Sequence, residues 1–174
     1  MAANTFTFIS SNVLGTSTAS VTFSAIPSTF TDLLLRYSFR ENSASAIGSV
    51  FVTFNGDSSA LYSRTRLRLD NSNPRVSESS RSSSATGFSV LGIANSGTAN
   101  TFSSNQLYMA NYTGTTNKPF STFDTALNNS DTSNDLSVLA GLYRSSSAIT
   151  SITIEGSASL LSGSSFYLYG IKNS

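Results

Sequence analysis

Ten Lys and Arg, nine Asp and Glu, 38 Ser and 20 Thr are the residues of this 174-residue chain that could do chemistry, because it holds no His and no Cys. That composition excludes Ser-His-Asp and Cys-His nucleophilic pairs, the usual general base near neutral pH, disulfides and thiolate or imidazole zinc sites. A Ser-Lys dyad would have to use Lys118, beside Pro119 in a predicted turn, or Lys172 near the C-terminus, and each reads as a solvated charge. The nine carboxylates lie mostly in or beside turn signals, where capping accounts for Asp57, Asp70, Asp131 and Asp135 without a glycosidase-type pair. Asp131 to Asp135, preceded by Asn128 and Asn129, offers oxygen ligands at alternate positions for a hard cation such as calcium. It lacks the glycine and distal glutamate of an EF-hand, so an Asx-rich hairpin loop is the simpler reading. No phosphate-cradling glycine motif occurs. The expectation is a protein that is not an enzyme and needs no cofactor or metal.

Arginine is the distinctive charge, eight against two lysines, and a planar fork suits hydrogen-bonded contacts better than loose solvation. Between Tyr62 and Asp70, Arg64, Arg66 and Arg68 alternate with Thr65, Leu67 and Leu69, which predicts a strand with a basic outward face and leucines turned inward. Arg36 and Arg40 repeat the pattern earlier. These five arginines form a candidate protein interface; the competing reading is an ordinary solvated face, paired with Glu41, Asp70 or Glu78 at tenths of a kcal/mol per pair. A second candidate surface, facing a receptor, consists of the loops around 71–85, 95–105 and 128–135, with Arg75, Arg81, Asn128, Asp131 and Asp135, and of Tyr62, Tyr143 and Tyr167 if these reach solvent. A net charge of +1 gives no electrostatic hold on nucleic acid or an anionic membrane, and no stretch has the length of an apolar membrane span.

The elements that must carry these residues read as strands. Leu33, Leu35, Tyr37 and Phe39 share one face of a period-two segment and Leu34, Arg36, Ser38 and Arg40 the other. About eleven such runs, most of five to ten residues, are separated by Gly, Asn, Ser and Asp clusters such as Asn55-Gly56-Asp57. The predicted fold is therefore all-β, an antiparallel β-sandwich of jelly-roll type, in a single domain over residues 1–174. Almost no helix is expected; one turn fits at Pro27–Asp32. Residues 71–85, Ser-rich and without aromatics, read as a long mobile loop. Alternation sends Phe6, Phe8, Phe23, Phe39, Phe54, Tyr108, Tyr112, Phe166 and Leu168 to the core.

Several phrases, in their order, resemble a family of small structural proteins of tailed bacteriophages. They are Ser20-Val-Thr-Phe-Ser-Ala-Ile-Pro27, Thr31-Asp-Leu-Leu-Leu-Arg36, Val52-Thr-Phe-Asn-Gly-Asp57 with Leu61-Tyr-Ser63, residues 106–117, the run from Gly141 to Ile154, and the closing Phe166-Tyr-Leu-Tyr-Gly-Ile-Lys172. The resemblance implies a β-sandwich virion component and supplies no catalytic residues. It implies a capsid decoration (cement) protein bound to the major capsid protein or other virion proteins, or else a tail or fibre module binding a host receptor or glycan. A chain that begins its first strand within a few residues of Met1, without a shaft segment, favours decoration. The implied assembly is a homo-oligomer, a trimer by preference, made in the host cytoplasm and placed on the capsid surface.

Overall fold

The computed structural model describes residues 5–70, 76–127 and 134–172, and the side chains of all of these except 76–78. Thirteen strands occur among them, and no helix. They are β1 (Phe6–Val13), β2 (Thr18–Phe23), β3 (Asp32–Ser38), β4 (Arg40–Glu41), β5 (Ile47–Phe54), β6 (Tyr62–Asp70), β7 (Val76–Ala85), β8 (Phe88–Ala94), β9 (Ser104–Met109), β10 (Lys118–Ala126), β11 (Asp135–Tyr143), β12 (Ile152–Leu160) and β13 (Ser165–Ile171). Eight form a large antiparallel sheet in the order β1-β13-β3-β9-β10-β11-β6-β7. The other five form a smaller sheet, β2-β12-β4-β8-β5, in which β12 also pairs with β5 and only β4–β8 is parallel.

The all-β expectation holds, and the two strands beyond the expected eleven have identifiable causes. β4 is a two-residue strand, separated by Phe39 from β3, that crosses from the large sheet to the small one. β7 occupies most of the segment expected to be a mobile loop. A serine-rich edge strand needs no apolar alternation, because its ladder to β6 and the packing of Ala85 at its end against the core hold it while its outer edge is unpaired. Pro27–Asp32 contains no helical turn; Asp32 already begins β3.

One hydrophobic cluster draws on both sheets, with Leu33, Leu35, Tyr37, Leu107, Phe120 and Phe166 from the large sheet and Val21, Val50, Val52, Phe54, Phe88 and Ile154 from the small one. Phe54 touches the rings of Tyr62, Phe88, Phe120 and Tyr143 with centroids 5.5–5.9 Å apart, so aromatic packing ties β5 to β6, β8, β10 and β11. Gly141 in β11 makes room for this cluster, since a Cβ there would overlap the Phe120 ring. At Asn55-Gly56, with φ of 56° and 65°, the chain turns and the Asp57 amide donates to the Phe54 carbonyl at 2.9 Å. The turn leads from β5 in one sheet to β6 in the other, so it makes a crossing rather than a hairpin. Three aromatics expected inside are not in the core: Phe6 and Phe8 lie on edge strand β1, each 56% exposed, and half-buried Tyr108 shares the outward side of β9 with exposed Gln106.

Candidate functional site

The arginine strand has the opposite orientation to the one its alternation suggests. Leu67 and Leu69 are 52% and 47% exposed, while Arg64, Arg66 and Arg68 are half-buried on the side of β6 shared with buried Tyr62. The register explains the choice. On the core side Arg66 lies opposite buried Leu139 and Arg68 opposite buried Ser137, and long aliphatic stems cover apolar surface while their heads find acceptors. Arg66 donates to the Ser89 carbonyl of β8 across the sheets. Arg68 grips Asp135 through Nε and through Nη2 at 2.9 Å, and approaches Asp70 at 3.2 Å. Asp135, at the start of β11, is thus the buried anchor of an ion pair and presents no exposed carboxylate to a receptor.

Behind this strand lies a buried carboxyl that the turn-based reading of the acids passed over. Asp124 on β10 is fully buried; its Oδ2 accepts from Ser137 at 3.1 Å and from Thr122 at 3.3 Å, and its Oδ1 has no partner among the described residues. Burial pushes its pKa up to about 7, against the weaker opposing pull of the two hydroxyls and of Arg66. The Arg66 guanidinium is shifted down, first by burial and then by Arg64 beside it. The Tyr37 hydroxyl, buried and facing the Asp124 charge, is raised well above its ordinary range. The usable signal was parity: Asp124 falls in step with Phe120, which is core, but Phe123 competes in the opposite phase.

The outward side of the large sheet carries what the arginine side does not. Following the register across strands, one row runs Tyr167, Arg36, Gln106, Phe123, Val138, Leu67. A neighbouring pair is Leu136 opposite Leu69. Phe123, Val138 and Leu136 are 41%, 46% and 36% exposed, so with the two leucines they make a contiguous aliphatic and aromatic surface over β10, β11 and β6. Arg36 stands exposed beside it, between shallow depressions of about 350 and 170 Å³ lined by Ser104, Gln106 and Phe123 on one side and Ser38, Ser165 and Tyr167 on the other. Its guanidinium makes no hydrogen bond or ion pair with any described residue. The outward face of the small sheet is more hydroxylated: Thr22, Thr153 and Thr53 make one row, with Thr22 and Thr153 hydroxyls 3.0 Å apart, and the next row runs Ser20, Glu155, half-buried Phe51 and Ser89.

The remaining candidates are scattered. Arg40 cannot share a surface with the others: it is buried, and its guanidinium donates to the carbonyls of Asn95, Gly97, Thr98 and Thr101 at 2.7–3.1 Å, so it fastens a loop. Arg81 lies on edge strand β7 opposite Thr65, at the margin of the outward face. Arg75, Asn128 and Asp131 lie outside the described residues, as does most of the proposed cation loop. Tyr62 and Tyr143 are buried and stacked at 4.8 Å, leaving Tyr167 as the exposed one of the three tyrosines. Lys118, expected to be solvated, is buried; its amine donates to the Ser145 carbonyl at 2.8 Å, and desolvation lowers its pKa. Asp57 does cap a turn, accepting from the Ser59 amide and hydroxyl, contacts that hold its pKa down. Glu41 is fully buried among Ser43, Ser157 and the amides of Ser49 and Ala158, joining β4, β5 and β12.

Among the described residues no group of three or more acidic side chains is placed to hold a metal ion, and no helix is long and apolar enough to cross a membrane. What the arrangement offers is a surface: an apolar patch beside the unpaired guanidinium of Arg36, with exposed Arg81 at its margin. No protein-family model matches the chain, and no curated protein matches it significantly.

Proposed function

We propose that this chain is a non-enzymatic structural protein of a tailed-phage particle, a capsid decoration protein of jelly-roll sandwich architecture that docks on the major capsid lattice. The phrase-by-phrase sequence resemblance motivates the viral setting. The observation that carries the docking reading is the contrast between the two outward faces, apolar over β10, β11 and β6 of the large sheet and hydroxyl-rich over β2 and β12 of the small one. A protein that sits on a particle needs one face of each kind. Apolar area removed from water contributes roughly 25 cal/mol per Å², and hydroxyls keep the other face hydrated. Half-buried Arg66 and Arg68, bonded to Ser89 and Asp135, then serve the fold, and the contacts move to the leucine side of the same strand.

Exposed Tyr167 and Phe123 beside Arg36 favour a second reading, a tail or fibre module that binds a host glycan. Leu67, Leu69, Leu136 and Val138 weigh against it, because aliphatic side chains suit a protein partner better than a hydroxylated sugar. The deciding experiment images C-terminally labelled protein on intact virions and counts copies relative to the major capsid protein. A copy number comparable to that of the capsid protein, spread over the head, is the expected result; a few copies confined to the tail would transfer the function to attachment.

A further inference from the structure

We propose that the partner surface presents a carboxylate to Arg36, set within an apolar patch that meets Phe123, Val138 and Leu67; this rests on the docking reading above. Three observations carry it. Arg36 is exposed in mid-sheet and no described residue pairs with it. Among residues whose side chains are described, the single carboxylate sharing the outward phase of the large sheet is Asp32. That group is buried and engaged with the Tyr108 hydroxyl at 2.6 Å and the Asn111 amide at 2.8 Å. Its hold on Tyr108 pushes that hydroxyl up to about 12, so neither group brings a free negative charge to the face. The face is therefore cationic and apolar together, and its complement is acidic and apolar.

The surroundings of Arg36 fit a bidentate contact. Directly across the strands stand Tyr167 on one side and Gln106 on the other, so a carboxylate reaching the guanidinium would lie between a phenol and an amide, each able to donate to it. A second copy of this chain, joined face to face by a two-fold axis through Arg36, would bring two guanidiniums together without an anion and is disfavoured. Nucleic acid would need a run of cations along the face, and its described cations are Arg36 and, at the margin, Arg81.

The test measures binding of the full chain to purified phage heads stripped of it, over a range of salt concentration, for the wild type, Arg36→Gln, Arg36→Lys and Arg36→Glu. Arg36 is exposed and unpaired, so each variant should fold, which thermal melting checks. Expected are a roughly tenfold loss of affinity and a flatter salt dependence for Arg36→Gln, partial rescue by Arg36→Lys, and a further loss for Arg36→Glu. Unchanged affinity and salt slope in Arg36→Gln would overturn this inference while leaving the docking reading in place. Failure of the wild type itself to bind heads would remove both. Displacement of the chain from heads by oligogalacturonate, but not by a Glu-rich peptide, would also overturn it and assign Arg36 to an acidic sugar.

Discussion

Asp124 has two hydroxyl partners, one oxygen without a hydrogen bond among the described residues, and the attraction of half-buried Arg66. Desolvation outweighs that attraction, and the sign of the consequence follows. The folded carboxyl titrates near 7 against 3.8 in the unfolded chain, so the folded state holds its proton more tightly. Its contribution to stability is fully present below pH 3.8, shrinks as pH rises, and is gone above about 7, where the buried charge opposes folding. A tenfold difference in proton affinity between the two states is worth about 1.4 kcal/mol, so the swing is of the order of a few kcal/mol. Asp124→Asn should therefore flatten the loss of stability between about pH 4 and 7 and raise the denaturation midpoint at about pH 8. Urea unfolding of both proteins across that range decides it; a parallel slope in the variant would show that another group carries the effect.

At the scale of elements, Arg40 shows why a two-residue strand belongs between the sheets. Its guanidinium collects four carbonyls of residues 95–101 with no carboxylate, and its backbone meets the Ser164 hydroxyl at 3.2 Å. Arg40→Ala leaves those carbonyls short of donors and opens a cavity, for an expected cost of about 3 kcal/mol or more, with Arg40→Lys recovering less than half because one ammonium cannot span the fork. Hydrogen exchange should show the loss first in residues 94–102; uniform protection there would contradict the role. The alternation that revealed β3, β5 and β10 could not orient β6, where both phases are plausible: aliphatic residues occupy one and long-stemmed arginines the other. Pairing decided it, through Leu139, Ser89 and Asp135, all distant in sequence. Edge strands were hard to read for a related reason. β7 has no apolar face to betray it, and Phe6 and Phe8 on β1 look like core residues while covering an edge. The candidate site was legible as a strand and hidden as a face.

For the whole molecule, the two outward faces make opposite demands on anything attached to them, and a chain without Cys allows each to be labelled alone. Val138 stands in the middle of the apolar row and Glu155 is exposed on the small sheet. Neither side chain fills the core, so Val138→Cys and Glu155→Cys should each change stability by no more than about 1 kcal/mol. After reaction with a polymer-bearing maleimide, the protein labelled at 138 should fail to bind heads, because the polymer stands where the partner's apolar patch must pack. The protein labelled at 155 should bind with unchanged affinity, the polymer projecting into solvent from among the threonines. Cosedimentation with stripped heads reads both. Equal binding by the two conjugates would show that the large sheet is not the docking face, and loss only at 155 would turn the molecule over, placing the hydroxyl-rich sheet against the particle and leaving the apolar row exposed for another partner.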